Sequence, residues 1–104
     1  MDILEIYKTL ANETRLNILA WLKEPAKHFP RQEYENDGNE PWSLGVSVGN
    51  IQEKAGISQS TISHYLDMMQ RCGLLKICRR GKRTYYRRNE ELIQELAEYI
   101  KKEL

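Results

Sequence analysis

From Gly56 to Asn89 the chain reads GISQSTISHYLDMMQRCGLLKICRRGKRTYYRRN, a helical pattern that passes through one glycine into two basic, β-favouring runs. No other stretch limits the possible folds so strongly. Taken as a helix, Gln59 to Cys72 sets Ile62, Leu66 and Met69 on one side at the i, i+4, i+7 spacing, a stripe that must be buried. The other side carries Ser60, Ser63, His64, Asp67 and Arg71, with Gln59 at the open first turn. Ser58 precedes the periodic run and is the expected N-cap, because its hydroxyl accepts from a first-turn amide that has no helical partner. Gly73 is the expected stop, since a left-handed residue is least costly there.

Val48 to Ala55 reads as a second short helix with Ile51 and Ala55 on one face and Ser47 as its cap. The linker Gly56-Ile57-Ser58 is brief and opens on glycine, as the turn of a helix-turn-helix often does. Two helices joined by glycine are also common in small helical domains, so the pair alone does not decide between scaffold and reader. The following segment does more. Leu74 to Arg79 and Arg83 to Arg88 are β-favouring runs around the turn Arg80-Gly81-Lys82, and together they predict a hairpin.

Net charge conceals what this hairpin carries, since 16 Lys and Arg against 15 Asp and Glu leave only +1. Ser58 to Arg88 holds eight basic residues against Asp67 alone, or +7, while the remainder of the chain carries −6. Positive charge concentrated on one supersecondary unit suits a polyanion, and phosphate contacts dominate affinity for nucleic acid. A basic hairpin can also be a solvated edge that resists strand addition. Here it follows directly on a helix with a polar face, which favours nucleic-acid recognition.

Three blocks of sequence, Leu10-Ala-Asn-Glu-Thr-Arg-Leu-Asn-Ile-Leu19, Ile57-Ser-Gln-Ser-Thr-Ile-Ser-His-Tyr-Leu66 and Arg71-Cys-Gly-Leu-Leu75, resemble in content and order the ArsR/SmtB family of bacterial winged-helix repressors. The resemblance covers nearly the whole chain. It implies a mainly α fold with a small β-hairpin wing, a winged helix-turn-helix of about five helices. It also implies a homodimer that binds a palindromic operator on double-stranded DNA and represses transcription until an inducer, here unknown, lowers its affinity. On this expectation residues 1–104 form one domain, with 48–72 the helix-turn-helix and 74–88 the wing.

Carried over by position, Ser58, Gln59, Ser60, Thr61, Ser63 and His64 form the groove-facing start of the recognition helix, and Arg79, Arg80, Lys82 and Arg83 the anchoring wing. The chemistry agrees. Gln59 can pair with an adenine edge through two hydrogen bonds, and the short polar groups can reach bases or phosphates. The wing arginines set affinity rather than sequence choice, because phosphate contacts position and base contacts specify.

The remaining segments build the scaffold. Ile3, Leu4, Ile6, Tyr7, Leu10 and Ala11 form one apolar helical face, and Leu92, Ile93, Leu96, Ala97, Ile100 and Leu104 another. Either helix can simply cover its own core. In a chain of 104 residues, however, two such broad faces predict intersubunit packing, so 1–11 and 90–104 are expected to be the dimerisation helices. Thr14 to Lys23 fits a core helix capped by Asn12, with Leu16, Leu19 and Ala20 on one face and Ile18, Trp21 and Leu22 on a second stripe. Arg15 either pairs with an acidic neighbour, the preferred expectation, or touches a phosphate.

Residues 25–46 form an irregular insertion, interrupted by Pro25, Pro30, Pro41, Gly38 and Gly45 and by an Asn-Asp-Gly signal at 36–38. Its acidic run Glu33, Glu35, Asp37 and Glu40 would repel DNA, which places it away from the binding face. Some members of the resembled family carry a comparable extension with a His-Phe-Pro element, as in His28-Phe29-Pro30 here. It can clamp the preceding helix, form an effector pocket from Trp42, Phe29 and Tyr34, or serve only as a loop that packs its aromatics.

Metal sensing fits poorly. Zinc or a thiophilic metal needs three or four converging ligands, and the Cys and His available are Cys72, Cys78, His28 and His64. The family's thiolate site puts a Cys-x-Cys pair in or beside the first helix of the DNA-binding motif, where this chain has Ser47 and Gly49. Its other common site uses Asp and His on the last helix, and Asn89 to Leu104 contains no His. No metal and no cofactor is therefore expected. Cys72 and Cys78 leave a redox alternative open, since a modified thiol at the end of the reading helix or the start of the wing could tilt one against the other.

Catalysis is not expected: Glu33, Glu35, Asp37 and His28 offer acid-base pairs, but no nucleophile motif or phosphate-cradling loop accompanies them. A winged helix used as a protein-interaction module remains the competing class. The N-terminus lacks a charged start followed by an apolar stretch, and no apolar run approaches spanning length, so no membrane association and a cytoplasmic location are expected.

Overall fold

The computed structural model describes residues 1–30 and 43–104. Within them the elements run α1 (Ile3–Leu10), α2 (Glu13–Lys23), α3 (Pro25–His28), β1 (Val46–Ser47), α4 (Val48–Ala55), α5 (Gln59–Arg71), β2 (Leu75–Arg80), β3 (Arg83–Arg88) and α6 (Glu90–Glu103). The five longer helices match the sequence expectation. The sixth, α3, is a single turn with Pro25 in its first turn, where a missing N–H costs nothing.

Each long helix starts on a short polar side chain that accepts from the amide three residues on. Asp2, Asn12, Ser47, Ser58 and Asn89 cap α1, α2, α4, α5 and α6 in this way. Helix α5 ends at Arg71, with Cys72 as its cap rather than its last turn. Gly73 follows at φ +94°, and two bonds close the helix, Leu74 N–H to Met69 C=O at 2.9 Å and Gly73 N–H to Gln70 C=O at 3.0 Å. Leu74 is therefore spent on helix closure, and β2 begins one residue later than expected.

Two clusters of buried side chains hold these elements. Ile18, Leu22, Phe29, Val46, Ile51, Ile62, Leu66, Met69, Leu75 and Tyr86 join α2, α4, α5 and the sheet. The predicted stripe of α5, Ile62, Leu66 and Met69, lies wholly inside this cluster. A second cluster of Ile6, Leu74 and Leu96 links α1 and α6 to the end of the helix-turn-helix. Leu19 packs against both. On α2 it is the Ile18 and Leu22 stripe that faces the core, whereas Leu16 is 49% exposed and Ala20 is exposed. Arg15, Ile18 and Leu22, spaced i, i+3, i+7, together form the buried face of α2, and the Leu16 side therefore points outward.

The sheet has a third strand that the sequence did not suggest, in the order β1-β3-β2. Val46 pairs with Tyr86 and Ser47 with Tyr85, while Ile77 opposes Tyr86 from the other side. Val46, Tyr86 and Ile77 thus share the face that packs on the larger cluster. Gly45 makes the approach possible. Its φ is +107°, and a Cβ there would run into the Tyr86 carbonyl.

The root of the hairpin is pinned on two sides. Arg88 donates from Nε and Nη2 to the two carboxylate oxygens of Glu90 at 2.9 and 3.1 Å, and from Nη1 to the Leu19 carbonyl at 3.3 Å. Asn89 donates from its side chain to the Gly73 carbonyl and from its backbone to the Leu74 carbonyl, both at 2.9 Å. The hairpin therefore leaves the body at an angle set by α2, α5 and α6. The acidic run at 33–40, the turn at 36–38, and Tyr34 and Trp42 lie outside the described residues.

Candidate nucleic-acid interface

The polar face of α5 begins at its cap. Ser58 Oγ accepts from the Thr61 amide at 3.2 Å and donates to Thr61 Oγ1 at 2.9 Å. Ser58 and Thr61 are thereby committed to each other, and Thr61 is only half-exposed. Gln59, Ser60, Ser63 and His64 are exposed. Gln59 and Ser63 stand one turn apart on one line, and Ser60 and His64 on the next, so four side chains cover a face two lines wide. One turn further on, Arg71 pairs with Asp67 at 3.0 Å and closes that face with no net charge.

The hairpin turns on two residues, not three. Arg80 pairs with Arg83, leaving Gly81 and Lys82 as the turn, and Gly81 alone has positive φ, at +62°. Arg79, Arg80, Lys82 and Arg83 are all exposed. The register opposes Arg80 to Arg83 and Lys76 to Arg87. Like charges directly across a ladder cost stability, and a protein that keeps two such pairs on one hairpin presents a surface suited to an anionic partner. Tyr86 adds no competing charge, because burial holds its phenol above the ordinary value of 10.0 against the smaller downward pull of Arg79, with Asp67 adding to the rise.

Between helix and hairpin lies an open groove of about 400 Å³. It is lined by Gln59 and Ser63 from α5, by Lys82, Arg83 and Thr84 from the hairpin tip, and by Ser47, Val48, Gly49 and Gln52 from the start of α4. Four of the residues expected from sequence therefore meet in one place. Ser60 and His64 adjoin it on the exposed face of α5, Ser58 and Thr61 serve the cap, and Arg79 and Arg80 lie outside its lining.

Gly49, Gln52 and Thr84 were not singled out from the sequence. A Cβ at Gly49 would meet nothing within 4 Å, so the backbone there is open to an incoming group. Gln52 donates to the Ile57 carbonyl at 3.4 Å, which ties α4 to the turn before α5. For Gly49 the sequence signal was the helix start itself, whose first amides carry partial positive charge, and nothing local in the sequence marked Gln52 or Thr84.

Cys72 and Cys78 are free thiols in different surroundings. Cys72 Sγ donates to the Met69 carbonyl at 3.4 Å and packs against the Ile6, Leu74 and Leu96 cluster. Cys78 opposes Tyr85 in the sheet. Among the described residues no three His, Cys, Asp or Glu side chains are grouped so as to hold a metal ion, and no helix is long and apolar enough to cross a membrane.

Arg15 departs from its preferred expectation. It meets no carboxylate among the described residues, and instead donates from Nε to the Thr9 carbonyl at 2.6 Å, with its guanidinium 4.8 Å from the Tyr65 ring centroid. The cause is local, since the tight α1 to α2 junction leaves a carbonyl beside Arg15 and the larger cluster seats Tyr65's helix against it.

Comparison with known proteins agrees with this architecture. Residues 46–76 match the family described as bacterial regulatory protein, arsR family. The chain is 46% identical over 104 residues, the full length of both, to an uncharacterized HTH-type transcriptional regulator, YbzH, of Bacillus subtilis (strain 168). Among solved structures it resembles a homodimeric winged helix-turn-helix DNA-binding domain from Mycobacterium bovis, a possible ArsR-family regulator, at 27% identity and a TM-score of 0.62, covering 91% of this chain and 71% of that one. An ArsR-like transcriptional regulator from Rhodococcus sp. RHA1, at 20% identity and a TM-score of 0.67 over 95% of this chain and 76% of that one, shares the fold. With its helix-turn-helix, hairpin wing and basic groove, the chain belongs to the ArsR family of bacterial DNA-binding transcriptional regulators.

Proposed function

We propose that this regulator acts in the cytoplasm as a homodimeric repressor that binds a palindromic operator. The observation that carries the reading is the groove in which Gln59 and Ser63 of α5 face Lys82 and Arg83 of the wing. A base-reading amide beside cationic phosphate ligands is the division of labour that sequence-specific binding needs. Gln59, Ser60, Ser63 and His64 read base edges, Ser58 and Thr61 hold the start of the helix against the backbone, and Arg79, Arg80, Lys82 and Arg83 anchor the flanking phosphates.

Two-fold pairing supports the palindrome. Leu4 is 58% exposed, Ile100 44% and Leu104 80%, so the terminal helices keep apolar surface beyond what their own cluster uses. The Mycobacterium bovis relative is described as homodimeric. In this reading 1–11 and 90–104 are the dimerisation helices of a single domain spanning 1–104, with 48–72 as helix-turn-helix, 74–88 as wing and 25–46 as insertion. Two copies then present their α5 helices to half-sites about 34 to 36 Å apart.

Selection from a pool of randomised duplexes, with sedimentation to count protomers, tests this. Enrichment of an inverted repeat bound by two protomers is expected. Weak, sequence-blind binding would instead favour a protein-interaction module. Repression itself is read by placing the recovered site across a promoter and measuring transcription in vitro with and without the protein.

A further inference from the structure

Arg15 is 9% exposed, yet most of its hydrogen-bonding capacity is unused. Of the five N–H donors of a guanidinium, Nε alone is spent among the described residues, on the Thr9 carbonyl at 2.6 Å. Among the described residues no carboxylate lies within ion-pairing distance of it, although an unpaired, largely desolvated charge is unfavourable. Its two terminal nitrogens are nonetheless not sealed off, because Tyr7 Oη is the only side-chain polar atom among the described residues that is both wholly buried and unpartnered. The donors therefore keep a narrow opening to solvent.

They reach it beside the reading helix. The guanidinium lies over the ring of Tyr65, 4.8 Å from its centroid, and Tyr65 immediately follows His64 on α5. The Thr9 carbonyl and the Tyr65 ring together fix the guanidinium plane, so its outward edge is a preorganised two-donor fork with little rotamer freedom left to lose. That is the geometry that matches two oxygens of one phosphate. Asp67, an acidic neighbour on the same helix, is neutralised by Arg71 at 3.0 Å.

We propose that Arg15 is a DNA-binding residue whose terminal nitrogens grip a backbone phosphate on the α1 and α2 side of the recognition helix, across that helix from the wing. The proposal rests on the operator-binding reading above. A phosphate there supplies a counter-charge that the described residues do not, and it fixes α5 from the flank the wing does not touch. It also joins the α1 to α2 junction, through Thr9, to the bound DNA.

The test measures affinity for the palindromic duplex recovered by selection, at several salt concentrations, for the wild type, Arg15→Gln and Arg15→Lys. Loss of one phosphate contact in each of two protomers should reduce the slope of log K against log salt by about 1.8 for Arg15→Gln, so that the deficit shrinks about twelvefold between 50 and 200 mM salt. Arg15→Lys keeps a charge and should keep most of the slope. If Arg15→Gln loses affinity with an unchanged slope, the residue only seats the recognition helix and the proposal is wrong.

Should Arg15→Gln fail to fold, the wild type alone decides. Its Arg15 Nη protons should shift and exchange more slowly in the complex, and lose that protection when one particular phosphate is replaced by a neutral methylphosphonate. Nη signals indifferent to DNA overturn the contact while leaving operator binding intact. A wild type that selects no duplex overturns both readings.

Discussion

Replacing Gln59 by Ala isolates the base-reading function of the groove. Gln59 is exposed at the first position of α5, outside both apolar clusters, and the cap bond from Ser58 goes to Thr61, so the substitution removes no packing and no cap. Fold stability should change by no more than about 0.5 kcal/mol. A paired amide-to-adenine contact discriminates by about 1 to 3 kcal/mol, and a dimer makes it twice, so operator affinity should fall by about 2 to 6 kcal/mol, at least about thirtyfold. The assay is fluorescence anisotropy on the selected palindrome and on duplexes with each base substituted symmetrically at each half-site position. The wild type should show a sharp penalty at one position that the variant no longer feels, with penalties elsewhere retained. A uniform loss across all sequences, or a lowered urea midpoint, would refute the reasoning, because it would mean that Gln59 positions the helix instead of reading from it.

Three further outcomes are expected. Arg83→Ala should weaken binding to all duplexes alike and reduce the salt slope by about 0.9 per protomer, and an altered sequence preference with an intact slope would reverse the division between helix and wing. Gly45→Ala should lower stability by about 2 to 4 kcal/mol in urea denaturation, since it combines a φ of +107° with a clash on the Tyr86 carbonyl, whereas Gly49→Ala, which meets no atom within 4 Å, should stay near the wild type. Oxidant should leave operator affinity within about twofold, because neither thiol lines the groove and the Cys72 thiol is turned to the Met69 carbonyl, packed against an apolar cluster. A larger response that disappears in a Cys72→Ser, Cys78→Ser double variant would make the thiols the release signal.

The five longer helices, three of their caps and the buried stripe of α5 were legible in the sequence because each depends on residues within about a turn of one another. Ser47, Ser58 and Asn12 cap the helices they precede, and Ile62, Leu66 and Met69 recur at the helical period. The wing was legible for the same reason, though its turn tightened to Gly81-Lys82 once the strands came into register. β1 was not, since two residues carry no periodicity and Val46–Ser47 are strand only because β3 offers them a partner. Arg15 was misjudged because its acceptor, the Thr9 carbonyl, is a backbone atom that exists as a partner only once α1 turns into α2.

What this chain determines by itself is local and compositional: where helices start and stop, which faces are apolar, and that eight basic residues against one acidic fall between Ser58 and Arg88. Those features follow from hydrogen bonds and periodicities that span a few residues, and they were enough to indicate a polyanionic partner, while the family was indicated by the resemblance of three sequence blocks. Tertiary structure decided which of the charges are available and which polar groups meet. Arg88 is held to the Leu19 carbonyl, Gln59 and Ser63 face Lys82 and Arg83 across a groove floored by α4, and Arg15 is buried against Tyr65. Those outcomes depend on elements distant along the chain being brought together by the burial of two apolar clusters, a non-local event that no window of sequence contains.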